Sequence, residues 1–210
     1  MMRSRIGALA AAALVALGAC VSLKRTPEAR FFVLRAVAEP APAAAEPLAA
    51  IGLAPVRLPG YLRRPQLVTG EGSHELRIDE FERWAEPLEE GVTRVLAENL
   101  AARLPSHRVV RHPWPASQEL RCRIALELER FSAGGDGRVR LEGRWALLGP
   151  EGRSLASAPA ALETGPVPVG PGGAEPGAAV AALSELLAAL AAELARAVEE
   201  LPRPEAVATP

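Results

Sequence analysis

Residues 120–148 read LRCRIALELERFSAGGDGRVRLEGRWALL. Leu120, Cys122, Ile124, Leu126 and Leu128 alternate with Arg121, Arg123, Ala125, Glu127 and Glu129. Side chains on a strand point to opposite faces with a period of two, so one face of this strand is apolar and the other wet. The turn SAGGDG leads into Val139, Leu141, Gly143, Trp145 and Leu147, which alternate with Arg138, Arg140, Glu142 and Arg144. The two runs predict an antiparallel hairpin whose apolar face needs a cover. Cys122 falls on that face, where a thiol is a small core residue and not a reactive one.

The cover lies on either side in sequence. From about Pro87 to Leu104, the residues Leu88, Val92, Val95, Leu96, Leu100 and Leu104 recur at steps of three and four, which predicts an amphipathic helix. Pro87 suits a first helical position, and Glu86 lies where the helix dipole favours an anion. Residues 178–201 carry a second stripe, Leu183, Leu187, Leu190, Leu194, Val198 and Leu201. Shorter strands are expected at Phe31–Leu34, Ile51–Leu58, Arg108–Arg111 and Ser154–Glu163. Another hairpin is expected around the turn GEGSH, flanked by Gln66–Thr69 and Glu75–Ile78. Phe81 and Trp84 are read as packing under the start of the first helix. Ala36–Pro47 reads as a linker, and TGPVPVGPGGAEPG as too rich in glycine and proline to order itself. The order, strands then helix and again strands then helix, predicts a single α+β domain with a largely antiparallel sheet and two amphipathic helices packed on one face.

Residues 1–19 have a different character. Arg3 and Arg5 precede an apolar run from Ile6 to Leu17, followed after Cys20 by Lys24, Arg25, Glu28 and Arg30. A membrane span needs about 20 apolar residues, so this run reads as an export signal and not an anchor helix. It ends in Leu17-Gly18-Ala19-Cys20, which resembles the lipobox of bacterial lipoproteins, where the cysteine becomes the acylated first residue. The expected organisation is a signal peptide over 1–19, a lipidated tether over 20–29, a domain over 30–201 and a disordered tail over 202–210. With Cys20 acylated, Cys122 has no intramolecular disulfide partner. Val21, and not Asp, after the cysteine favours the outer membrane by resemblance to the sorting of such lipoproteins.

Several chemistries are disfavoured. The chain holds 24 Lys plus Arg against 25 Asp plus Glu, without the basic surplus that nucleic acid requires. His107 and His112 are five apart across an expected strand, on opposite faces, with no cysteine or carboxylate pair to complete a metal site. No Gly-rich phosphate loop precedes a helix, and no G-x-S-x-G elbow occurs. The reading is therefore non-enzymatic, with no cofactor and no metal. The segment LPGYLRRPQLVTG holds the sole tyrosine, two arginines and two prolines. It reads either as a contact loop presenting Tyr61, Arg63 and Arg64 outward, or as a rigid connector whose tyrosine caps the core.

The lipobox at Cys20, FFVL shortly after it, IGLAPVRLPGYLRRPQLVTG, FERWAEPLEEGVTRVLAENLAARLP, HPW and the strand carrying Trp145 together resemble one family. It is the PqiC and YmbA group of ABC-type transport auxiliary lipoproteins. The resemblance implies a lipoprotein on the periplasmic face of the outer membrane. It also implies work with a mammalian-cell-entry-domain protein of the inner membrane to carry (phospho)lipid between the membranes and support envelope integrity, assembly into a homo-oligomeric ring, and no enzymatic activity. On that basis Tyr61, Arg63, Arg64 and Gln66 are the candidate partner contacts and Cys20 the lipidation site. A lipoprotein holding lipid in its own apolar pocket is the alternative.

Overall fold

The computed structural model describes residues 27–39, 49–70 and 74–202. The expected signal peptide, Cys20, most of the tether, most of the Ala36–Pro47 linker and the tail from residue 203 lie outside the described residues. The described residues form ten strands, a 3-10 turn at Gly60–Leu62 and two α-helices. The strands are β1 (Arg30–Phe32), β2 (Ala49–Leu53), β3 (Gln66–Gly70), β4 (Leu76–Trp84), β5 (His107–Arg111), β6 (Leu120–Ala133), β7 (Val139–Leu148), β8 (Ser154–Glu163), β9 (Val169–Gly170) and β10 (Gly173–Ala174). The helices are α1 (Leu88–Arg103) and α2 (Pro176–Glu199).

The alternating stretch at 120–148 forms the centre. β6 and β7 pair antiparallel, with Ile124 opposite Leu147 and Leu126 opposite Trp145, and β8 extends the meander with Ala158 opposite Trp145. The sheet has five strands in the order β5-β2-β6-β7-β8. The antiparallel part is extended by parallel pairings: β2 runs parallel to both β6 and β5. Parallel neighbours need a long crossover, and the chain between β2 and β5 supplies it as β3, β4 and α1. A smaller sheet, β1-β4-β3, is built on the β3–β4 hairpin, with β1 added parallel to the Glu82–Trp84 end of β4.

Both helical stripes are buried. Val92, Val95, Leu96 and Leu100 of α1, and Leu187, Leu190, Leu194 and Val198 of α2, show no exposed surface. α2 packs on β6, β7 and β8, while α1 packs on α2 and β5. The core between helices and sheet includes Ile51, Leu53, Cys122, Ile124, Phe131, Leu141 and Leu147. Fully burying each large aliphatic side chain contributes roughly 1.5–3 kcal/mol. α2 is long and apolar enough to pass for a membrane span, yet 67% of that window is buried inside the domain, so its composition serves the core. Burial also raises the Cys122 thiol pKa to about 11.

One expectation needs correction. The glycine- and proline-rich segment after β8 is ordered: β9 and β10 pair as a short hairpin. Val167 N donates to Gly137 O and packs against the core, and Glu175 N donates to Pro168 O. Composition argued for disorder, but here glycine serves a turn, with Gly173 at φ 91°, and Val167 supplies the apolar anchor. Glu175 then caps α2, its carboxylate accepting from Ala178 N at 2.6 Å, and that bond lowers its pKa.

β6 departs from a regular ladder twice. Its pairing with β2 shifts so that Arg121 has no partner between Leu120 and Cys122. Its pairing with β7 shifts between Leu128 and Arg130, leaving Glu129 as the extra residue. Gly143 lies opposite Leu128, where an added Cβ would stand 2.8 Å from Leu128 Cα and closer still to the Glu127 carbonyl oxygen. Backbone, and not a flexible side chain, fills that space. Gly143→Ala is therefore expected to destabilise the domain by about 1–3 kcal/mol in urea unfolding, because the bulge must shift.

Candidate partner-contact surface

The LPGYLRRPQ loop crosses from the end of the β2 segment to β3. Beyond Leu53 the chain continues beside β6: Ala54 N donates to Ile124 O, Arg57 N to Leu126 O, and Leu128 N to Arg57 O. Pro59 and Gly60 then start the 3-10 turn, and Leu62 is buried beneath it.

Tyr61 is turned toward the protein's own sheet. It packs partly buried against the core, and its phenol donates to the carbonyl oxygen of Glu129 at 3.0 Å, the extra residue of the β6 bulge. Burial raises the phenol pKa above its ordinary value. Of the two readings of this loop, the connector describes Tyr61. The arginines differ. Arg63 is exposed, and its Nε stands 2.9 Å from Glu89 Oε1 in the first turn of α1. Arg64 Nε donates to Tyr61 O at 2.9 Å, which stiffens the turn. Gln66 Nε2 donates to Glu80 Oε2 at 3.3 Å across the β3–β4 hairpin. Arg63, Arg64, Pro65, Trp84, Pro87 and Glu89 border a cleft of about 400 Å³ at the start of α1. The loop therefore offers a charged rim, with the tyrosine holding it from behind.

Polar residues not singled out from sequence dock the N-terminal segment. Asn99 is fully buried, and its Oδ1 accepts from Val37 N at 3.2 Å and Ala38 N at 3.0 Å. Ser184 Oγ accepts from Arg35 N at 3.2 Å and donates to Val180 O. Arg94 donates to Leu34 O at 3.0 Å and pairs with Glu86 at 2.6 Å, which raises its pKa. Residues 34–38 are thus strapped across both helices. The signal was available: Asn99 and Ser184 interrupt otherwise apolar helix faces, where a polar residue is retained only with hydrogen-bond partners.

The histidines stay apart. His107 begins β5 and contacts Arg121, whereas His112 lies beyond the other end of β5 and meets Trp114 edge to face at 5.1 Å. Among the described residues, no three His, Cys, Asp or Glu side chains cluster in a way that could hold a metal ion.

Residues 32–195 match the model of the ABC-type transport auxiliary lipoprotein component, and the chain belongs to that family. The family associates the protein with transport as an auxiliary lipoprotein of the cell envelope, working with a transporter partner. The fold is similar to the crystal structure of an uncharacterized protein, 22% identical, covering 82% of this chain and 99% of that one with a TM-score of 0.67. It is also similar to a crystal structure from Xanthomonas campestris, of a domain family of unknown function, at 17% identity, 80% and 93% coverage and a TM-score of 0.63. No curated protein matches the sequence.

The geometry separates two substitutions. Tyr61→Phe removes the bond to Glu129 and is expected to cost about 1 kcal/mol in urea unfolding. Arg63→Ala removes an exposed ion pair and is expected to stay within about 0.5 kcal/mol of the parent, so Arg63 can be changed without disturbing the fold.

Proposed function

We propose that the chain is an outer-membrane lipoprotein subunit of an intermembrane (phospho)lipid transport system. It docks or caps a periplasm-spanning mammalian-cell-entry-domain protein anchored in the inner membrane and so supports envelope integrity. The family match over residues 32–195 carries this reading. The lipobox at Cys20 supplies the membrane attachment, and Val21 directs the outer membrane. The multiple acyl chains of a bacterial lipoprotein hold a protein where one chain binds only marginally. The mature chain then begins at Cys20, with a tether over 20–29 and the transport-auxiliary domain over 30–201. Removal of residues 1–19 takes away Arg3 and Arg5 and no acid, so attachment rests on acyl chains and not on charge. The protein acts without catalysis or a bound cofactor, in a homo-oligomeric ring that receives the partner's end.

Arg63, Arg64 and Gln66 form the contact rim in this reading, and Tyr61 contributes by fixing the turn that presents them. Each already bonds within its own chain, so docking exchanges exposed intramolecular contacts for intermolecular ones. Such rim charges set the rate and register of association more than its strength.

Membrane fractionation and affinity capture of the tagged protein, beside Cys20→Ala, test the role. The parent is expected in the outer membrane, bringing down a mammalian-cell-entry-domain protein, while Cys20→Ala is released to the soluble periplasmic fraction. Identical fractionation of both, with no transporter component captured, contradicts the proposal.

A further inference from the structure

At the end of the domain away from the Arg63 rim, β5, β6 and α2 converge on one partly buried polar contact. Arg121 is the residue that the β2–β6 irregularity leaves without a pairing partner. Its guanidinium reaches in two directions: Nη1 lies 2.8 Å from His107 Nε2, and Nη2 donates to the carbonyl oxygen of Leu201 at 2.7 Å, just past α2. A guanidinium has only N–H donors, so His107 Nε2 must be the acceptor and the ring proton must sit on Nδ1. That Nδ1, and Nε of Arg121, are buried and without a protein hydrogen-bond partner among the described residues. Arg121 from β6 and Glu199 from the last turn of α2 are the charged groups that face the ring.

We infer that His107 and Arg121 form an acid-sensitive latch, which holds the C-terminal end of α2 on the sheet while the imidazole is neutral and releases it when the ring is protonated. A protonated imidazole carries N–H on both nitrogens. It would direct a donor and a positive charge at a guanidinium 2.8 Å away, and the pair could not persist. Arg121 must then withdraw or reorient, and Leu201 O loses its donor. Val198 stays pinned in the core, so release is confined to the last turn and the residues beyond it. The chain continues from Leu201 into its C-terminal segment, so the latch sets where that segment leaves the domain.

Burial lowers the His107 pKa, and Arg121 adds to this, while Glu199 opposes it more weakly. The folded state therefore takes up the proton later than the unfolded chain. The latch's contribution is complete above the ordinary histidine pKa of about 6.5 and is lost as pH falls below it.

Amide hydrogen exchange on the full-length protein in detergent, corrected for the intrinsic rate at each pH, reads this out. Between pH 7.5 and 5, protection over residues 197–201 is expected to fall several-fold, while protection over 186–194 of the same helix is unchanged. The fall is limited to about tenfold for each unit by which the folded pKa lies below the unfolded one. His107→Gln keeps an oxygen that accepts from Arg121 but cannot titrate, and its protection over 197–201 is expected to stay level. A parent protein with level protection, or a His107→Gln protein that loosens as the parent does, overturns the latch. The ring titration of His107, followed by NMR in the parent protein, supplies a measurement independent of any substitution. Its midpoint must lie below that of an unfolded histidine, and the loss of protection must begin above that midpoint and level off at it; protection that keeps falling below the ring's midpoint also overturns the inference.

Discussion

The pairing of β6 with everything around it is the constraint on which this domain depends. β6 is parallel to β2 on one side and antiparallel to β7 on the other, and the chain beyond β2 continues along it to Arg57. A strand in the middle of a sheet must satisfy its backbone groups on both edges, and it fixes the register of each neighbour. Its apolar face, Cys122, Ile124, Leu126 and Leu128, is buried, and α2 packs on β6 together with β7 and β8. The two irregular positions are where it makes further attachments. Glu129, extra at one bulge, offers its carbonyl to Tyr61 and so places the arginine loop. Arg121, unpaired at the other, gathers His107 and Leu201. One strand thus sets both the candidate contact rim and the far end of the second helix.

The N-terminal segment is integrated in a complementary way. Any chain tethered at Cys20 passes its load to the domain through residues 27–38. Those residues are held by β1 pairing with β4, by the Arg30–Glu82 ion pair at 2.9 Å, and by the strap over Asn99, Ser184 and Arg94. Exposed ion pairs of this kind contribute little each. The buried amide of Asn99 matters more, because losing it leaves two backbone N–H groups without an acceptor. A lipid-tethered domain is expected to hold its first residues firmly, and the strap meets that requirement in both helices at once.

The sequence made the hairpin at 120–148, both helical stripes and the burial of Cys122 legible, because period and burial are local consequences of side-chain direction. The partnership of β2 with β5 and β6 was not legible, since parallel pairing depends on the crossover and leaves no local mark. The hairpin at 169–174 was hidden by its composition: Val167 and the buried Ala174, with a few backbone bonds, order a segment whose average character is that of a linker. At the candidate site, the sequence singled out the loop but left the direction of Tyr61 open. A tyrosine beside two arginines is compatible with either orientation, and the bulge that accepts its phenol lies 68 residues away in the chain. Asn99 and Ser184 were visible as polar breaks in apolar stripes, yet their partners sit in an irregular segment that no period describes.

A photo-crosslinking residue placed at Arg63 in living cells, with the same residue placed at Arg196 on the opposite end of the fold, tests the docking role most directly. The account predicts a covalent adduct with a mammalian-cell-entry-domain protein from position 63 and none from position 196. Adducts of equal yield from both positions, or none to any transport component from position 63 in cells where the protein is acylated and folded, would contradict it.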